Sequence, residues 1–254
     1  MALHPKPNQI KHLLLGAGAL GFLLRVLLYT TGMDDRGLLV RGHWAAILLW
    51  ILTAATGIGI FLLCRKRNGP EAYRDAFPPT LFRAAGAIAA AAGFAVSPLP
   101  GTPGNPLATA ETVLRFAAAL SLLVIGICRF RDSRPSFLLH SVVCLYLALR
   151  LVCRYRIWSS HPQMLDYCFQ LGAYVALMLT AYQLAAFDAG LGNHKKLWAA
   201  GLASVYLCTV SVWGEEALLM LCLGFWIFSG LSNLEQKHGR PAFHPDTNIN
   251  HQEE

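Results

Sequence analysis

The chain of 254 residues carries 21 Lys and Arg against 14 Asp and Glu, a formal charge of +7, yet only 14% of its residues are charged and 55% are hydrophobic. A soluble domain devotes roughly 25% of its residues to charge, so these proportions, with a mean hydropathy of +0.46, exclude a water-soluble globular fold. The apolar residues come in blocks of about 18 to 20, the length at which a helix crosses the ~30 Å hydrocarbon layer, and they point to an all-α, polytopic membrane protein.

The first block, about 12–31, contains Gly16, Gly18 and Gly21 in the spacing G-x-G-x-x-G. A dinucleotide fingerprint needs a strand before the glycines, an amphipathic helix after them and an acid roughly 20 residues on. Here Leu13 to Leu28 contains one ionisable group, Arg25, and such a helix has no water-facing side. The small residues read instead as a close-packing surface, with Ala17 and Gly21 at i, i+4 admitting a neighbouring backbone. The apolar stretch is also longer than the 7–15 residues of a signal-peptide core, so an uncleaved first span is expected.

Further apolar blocks follow at about 44–64, 83–99, 110–128, 136–153, 164–187, 197–213 and 217–234, giving eight spans in all. The third, rich in Ala and Gly, gains little from lipid and belongs inside the bundle. A proline-rich stretch, "SPLPGTPGNP", separates it from the fourth and reads as an uncharged external hairpin. Only Gly214-Glu215-Glu216 divides the last two. One continuous helix would leave both acids in hydrocarbon, so a tight hairpin is expected. Residues 1–234 form one bundle on this reading, and the polar, Pro-interrupted stretch 235–254 is a disordered cytoplasmic tail.

With eight spans, the termini share a side with every second loop. That side collects fourteen Lys and Arg, the other receives Arg36, Arg41, Arg154 and Arg156, and three more lie within spans, accounting for all 21. The asymmetry predicts both termini in the cytoplasm, with a bacterial plasma membrane as the favoured setting. The basic loops carry the charge that orientation requires, so they do not argue for nucleic acid as a partner.

Seven cysteines at irregular spacing give no disulfide framework or metal finger. Cys153 and Cys168 come near one membrane surface, and His140 and Cys144 share a helix face, but two soft ligands do not close a metal site. No cofactor motif, nucleophile elbow or zinc-protease pair is legible. Asp188 with His194, or His161 with Asp166, forms at most an acid–base pair without a third member.

An ionisable side chain inside a membrane helix is costly enough to mark function by default. Arg25, Arg115 and Arg150 meet that test, each about one and a half to two turns from the external end of its span. Glu111 precedes Arg115 by one helical turn, Arg154 stacks on Arg150, and Asp166 and Gln170 open the sixth span. Convergent guanidiniums suit a phosphate or carboxylate. The sequence therefore proposes a ligand site of Arg25, Glu111, Arg115, Arg150, Arg154, Asp166 and Gln170 facing outward, for a small anionic solute or anionic lipid headgroup. Two other readings stand beside it: a non-catalytic scaffold or regulator that contacts partner membrane subunits, in which these charges only pair helices or reach the headgroups, and an intramembrane lipid-modifying enzyme. Trp44, Trp158 and Trp213 mark an aromatic belt at the same level.

Overall fold

The computed structural model describes residues 7–34, 39–40, 42–65, 80–97, 106–131, 133–159, 167–213 and 216–232, with side chains from Leu13 onward. Among them are eight α-helices: α1 (Pro7–Thr31), α2 (Trp44–Arg65), α3 (Leu81–Val96), α4 (Pro106–Phe130), α5 (Phe137–Trp158), α6 (Cys168–Asp188), α7 (His194–Val210) and α8 (Ala217–Ser232). The described residues form no strand ladder beyond one isolated bridge between Met33 and Leu39. Five helices, α1, α2, α4, α5 and α6, are long and apolar enough to cross a membrane. The other three have 16, 17 and 16 residues, short of the length of the eight-span expectation. The proposed tail, the centre of the "SPLPGTPGNP" hairpin and Asp166 lie outside the described residues.

Six helices close on one another. In chain order α3 packs on α4, α4 on α5, α5 on α6, α6 on α7 and α7 on α8, and α8 returns to α3. The α1–α2 pair lies outside this ring and docks on α7. Large apolar side chains on the exterior, such as Leu23, Ile51, Phe61, Leu120 and Leu145, are exposed, as a bilayer-facing surface requires, whereas the interior holds Leu122, Leu147, Leu177, Trp198 and Leu223.

Ring closure depends on small residues. On α3, Ala84, Ala87, Ala90 and Ala91 are buried, and Gly86 and Gly93 face Ser229 and Cys222 of α8; a Cβ on Gly93 would stand 2.7 Å from the Cys222 Cβ. The expectation that this Ala-rich helix sits within the bundle holds for that face, although Ile88 and Val96 remain exposed. Two glycines of the first block behave as close-packing residues, Gly18 against Thr209 and Gly21 against Val210, while Gly16 faces open space, and the helix continues through all three. A hydrogen bond of 2.9 Å between Thr53 and Tyr206 adds α2 to the same seam.

The ends of two helices are locally encoded. Asn193 caps α7 by accepting from the Lys196 amide at 3.2 Å. After α6, Gly190 adopts φ +85°, and the amides of Gly190 and Leu191 return to the carbonyls of Phe187 and Ala186, the paired bonds of a Schellman motif. Trp158, expected in an aromatic belt, is instead buried and stacked on Tyr167 at 4.6 Å. Trp213 stacks on Tyr29 at 5.1 Å, and Trp44 is exposed.

Candidate functional site

Charged side chains enter the ring at both ends. At the first end α4, α6 and α8 begin and α5 finishes. Arg150 on α5 is wholly buried, and its guanidinium joins two carboxylates, Glu111 of α4 and Glu216 just ahead of α8, the latter at 2.6 Å. Arg154 also pairs with Glu216, and the Tyr174 hydroxyl of α6 donates to the same carboxylate. Arg150 Nε adds a longer contact to Tyr174 at 3.5 Å. Two guanidiniums, two carboxylates and a phenol thus make one continuous network across four elements, and the carboxylates supply the opposing charge that a buried cation needs. The Tyr146 hydroxyl, in the electrostatic field of Arg150, Glu111, Glu216 and Arg115, is buried without a hydrogen-bond partner among the described residues.

The remaining residues of the proposed site are distributed differently from the sequence expectation. Arg25 donates to the Val210 carbonyl at 3.2 Å and lies over the rings of Phe169 and Tyr29. Arg115 donates to the Ser97 carbonyl at 2.6 Å. Both cations thus meet the carbonyl-rich C-terminal end of a helix, α7 and α3 respectively, where positive charge is favoured. Gln170 donates to the Trp213 carbonyl at 3.3 Å. Glu111, one turn before Arg115 in the sequence, reaches across to Arg150 instead, and Glu216 is a second carboxylate beside Arg150. Glu216 was visible only as half of a hairpin; it is buried because the two arginines receive it.

The sequence proposes no ligand site at the second end, yet charged side chains are buried there as well. Arg83 near the start of α3, Arg129 at the end of α4, His140 in the first turn of α5 and Asp188 at the end of α6 are all buried. His140 Nδ1 lies 2.5 Å from Asp188 Oδ2, and Arg129 lies 3.6 Å from Oδ1 of the same carboxylate. Arg134 donates to the main-chain carbonyl of Asp188 and, at 3.4 Å, to that of Phe187. The partner of Asp188 is therefore His140, not the nearby His194. The His140 ring also lies parallel to Trp226 at 6.2 Å. Beside this group is a small cavity of about 30 Å³ whose wall includes Arg83, Arg129, His140 and Thr180. Hydropathy hides this set because each residue falls in the first or last turns of a span; His140, an ionisable group inside a block, was the available signal.

All seven cysteines are free thiols, Cys153 and Cys168 among them. No group of three or more His, Cys, Asp or Glu side chains suited to a metal occurs among the described residues.

An all-helical chain with five apolar helices of membrane-crossing length, a lipid-compatible exterior and charged groups gathered inside a helix ring fits an integral membrane protein. Beyond that class, no family model, curated protein or solved structure matches it.

Proposed function

We propose that the chain is a multi-pass protein of a bacterial plasma membrane that binds or carries a small anionic solute or an anionic lipid headgroup, with Arg150 as the principal anion-binding side chain and both termini in the cytoplasm. The observation that supports this most is the fork of Arg150: it is fully buried and holds two separate carboxylates, Glu111 and Glu216. Those carboxylates stand where the oxygens of a ligand phosphate or carboxylate would bond, since a planar guanidinium offers paired donors to either. An entering anion exchanges with one of them, and Arg154 and Tyr174 hold the displaced Glu216. Arg115 lies within the same electrostatic neighbourhood.

A specific observation favours a second reading, a non-catalytic scaffold that assembles with partner membrane subunits. Arg25 and Arg115 donate to the carbonyls of Val210 and Ser97, and contacts of that kind tie helices together without a ligand. Titration of the purified protein with inorganic phosphate and acetate, followed by thermal shift, separates the two, together with native mass spectrometry for retained anionic lipid. Binding that disappears in Arg150→Gln and persists in Arg25→Gln supports the first reading. Equal affinity in Arg25→Gln, Arg115→Gln and Arg150→Gln, each with lowered stability, refutes it. Reporter fusions at the two termini test the orientation, and opposite faces would overturn it.

A further inference from the structure

Beside the Arg150 network stands a hydroxyl that the network does not use. Tyr146 lies one helical turn before Arg150 on α5, so the two side chains share a face. Tyr146 is wholly buried, and its ring meets that of Phe94 on α3 edge to face at 4.9 Å. The charges of Arg150, Glu111, Glu216 and Arg115 all act on the hydroxyl, yet it has no hydrogen-bond partner among the described residues. Tyr174, the second phenol beside Arg150, differs in this respect, because its hydroxyl donates to Glu216. A buried hydroxyl without a partner lowers stability relative to a phenylalanine of the same shape. The ring of Tyr146 packs the bundle, but its oxygen does nothing for the packing, and a donor held next to a buried cation suits an acceptor that arrives from outside.

We propose, building on the anion-binding reading of Arg150, that Tyr146 is a ligand-binding residue of that site and that the ligand is a small monocarboxylate, with one oxygen on the Arg150 guanidinium and the other accepting from the Tyr146 hydroxyl. Both donors stand on one helix, which fixes their spacing. Exchange with a protein carboxylate at the Arg150 fork replaces one planar, singly charged group by another. A phosphate dianion brings a second charge and further oxygens into an interior where each unmatched oxygen is costly, so the same pair of donors selects against it.

Tyr146→Phe removes one oxygen and keeps the shape of the side chain. The full-length protein in detergent is titrated with acetate, followed by saturation-transfer NMR of the acetate methyl group, with inorganic phosphate as competitor; melting temperatures are taken without ligand. Acetate is expected to bind the wild type saturably and to bind Tyr146→Phe at least ~10-fold more weakly, a loss of about 1.4 kcal/mol, while the melting temperature of that variant is unchanged or raised. Tyr174→Phe, which removes the donor to Glu216, is expected to lower the melting temperature. Arg150→Lys keeps the buried charge without the fork and is expected to weaken acetate binding. Phosphate is expected to displace acetate only at concentrations well above those at which acetate binds.

Binding that is weakened in Arg150→Lys but unchanged in Tyr146→Phe overturns the role of Tyr146 and leaves the Arg150 reading standing. Binding unchanged in both variants, or absent from the wild type for both anions, removes the Arg150 reading and this one with it. A fall in the melting temperature of Tyr146→Phe, whatever its affinity, shows that the hydroxyl serves the fold and overturns the proposal. Tighter binding of phosphate than of acetate overturns the choice of a monocarboxylate.

Discussion

Glu216 is the residue whose removal tests the ring most directly. Its carboxylate accepts from Arg150 at 2.6 Å, from Arg154 and from the Tyr174 hydroxyl, and its side chain is almost wholly buried. If these were surface contacts their loss would cost at most about 1 kcal/mol. Arg150, however, has no exposed surface, so Glu216→Ala leaves a buried cation with Glu111 as its only carboxylate among the described residues, and removal of one member of a buried pair costs about 3–5 kcal/mol. At about 2–4 °C per kcal/mol for a chain of this size, the melting temperature falls by roughly 10 °C. Tryptophan fluorescence of the detergent-solubilised protein measures the change, and Arg150→Met combined with Glu216→Ala completes a cycle. Because the two groups share one network, the double variant should be more stable than the sum of the single losses by at least ~1 kcal/mol. A shift under ~2 °C for Glu216→Ala, or strictly additive losses, would refute the claim that this network holds α4, α5, α6 and α8 together.

Two further perturbations test other parts of the fold. Gly93→Ala places a methyl 2.7 Å from the Cys222 Cβ, and overpacking of that kind should cost about 1–3 kcal/mol, whereas Gly16→Ala, with nothing within 4 Å, should gain about 0.5–1 kcal/mol from helix propensity; melting curves that place the two in the opposite order would contradict the α3–α8 contact. Arg134→Ala removes the side-chain donor from the carbonyls of Phe187 and Asp188, a charge-assisted interaction worth about 1.5–3 kcal/mol when buried and less for this exposed side chain; faster hydrogen exchange at the amides of Ala189 to Leu191 is the expected sign, and unchanged exchange would remove Arg134 from the cap.

The helices were legible because length and hydropathy are properties of contiguous sequence. Trp44 begins α2 and Ala217 begins α8 as expected. Four starts came earlier than hydropathy suggested, at Pro7, Leu81, Pro106 and His194 rather than residues 12, 83, 110 and 197. Proline at a first helical position and an Asn193 cap extend helices into polar sequence, where an apolar window sees nothing. Arg150 was also legible, as a cation deep in a block, but its partners were not. Glu111 and Glu216 lie 39 and 66 positions away, and only the order of helices around the ring brings them to it. The second end escaped for a related reason: Arg83 and Arg129 resemble the basic flanks that orient any span, and nothing local distinguishes a cation that turns into the bundle from one that remains outside.

The contact between Arg25 and Val210 joins positions 185 apart, and the α1–α2 pair docks chiefly on α7. During synthesis the earliest hairpin must therefore wait, with a guanidinium lacking that carbonyl, until most of the polypeptide has left the ribosome. The enclosure completed by α8 against α3 comes later still. A nascent chain released before its final helix would present Gly86 and Gly93 to lipid in place of α8, a recognisable mark of incompleteness for the quality-control machinery of the membrane.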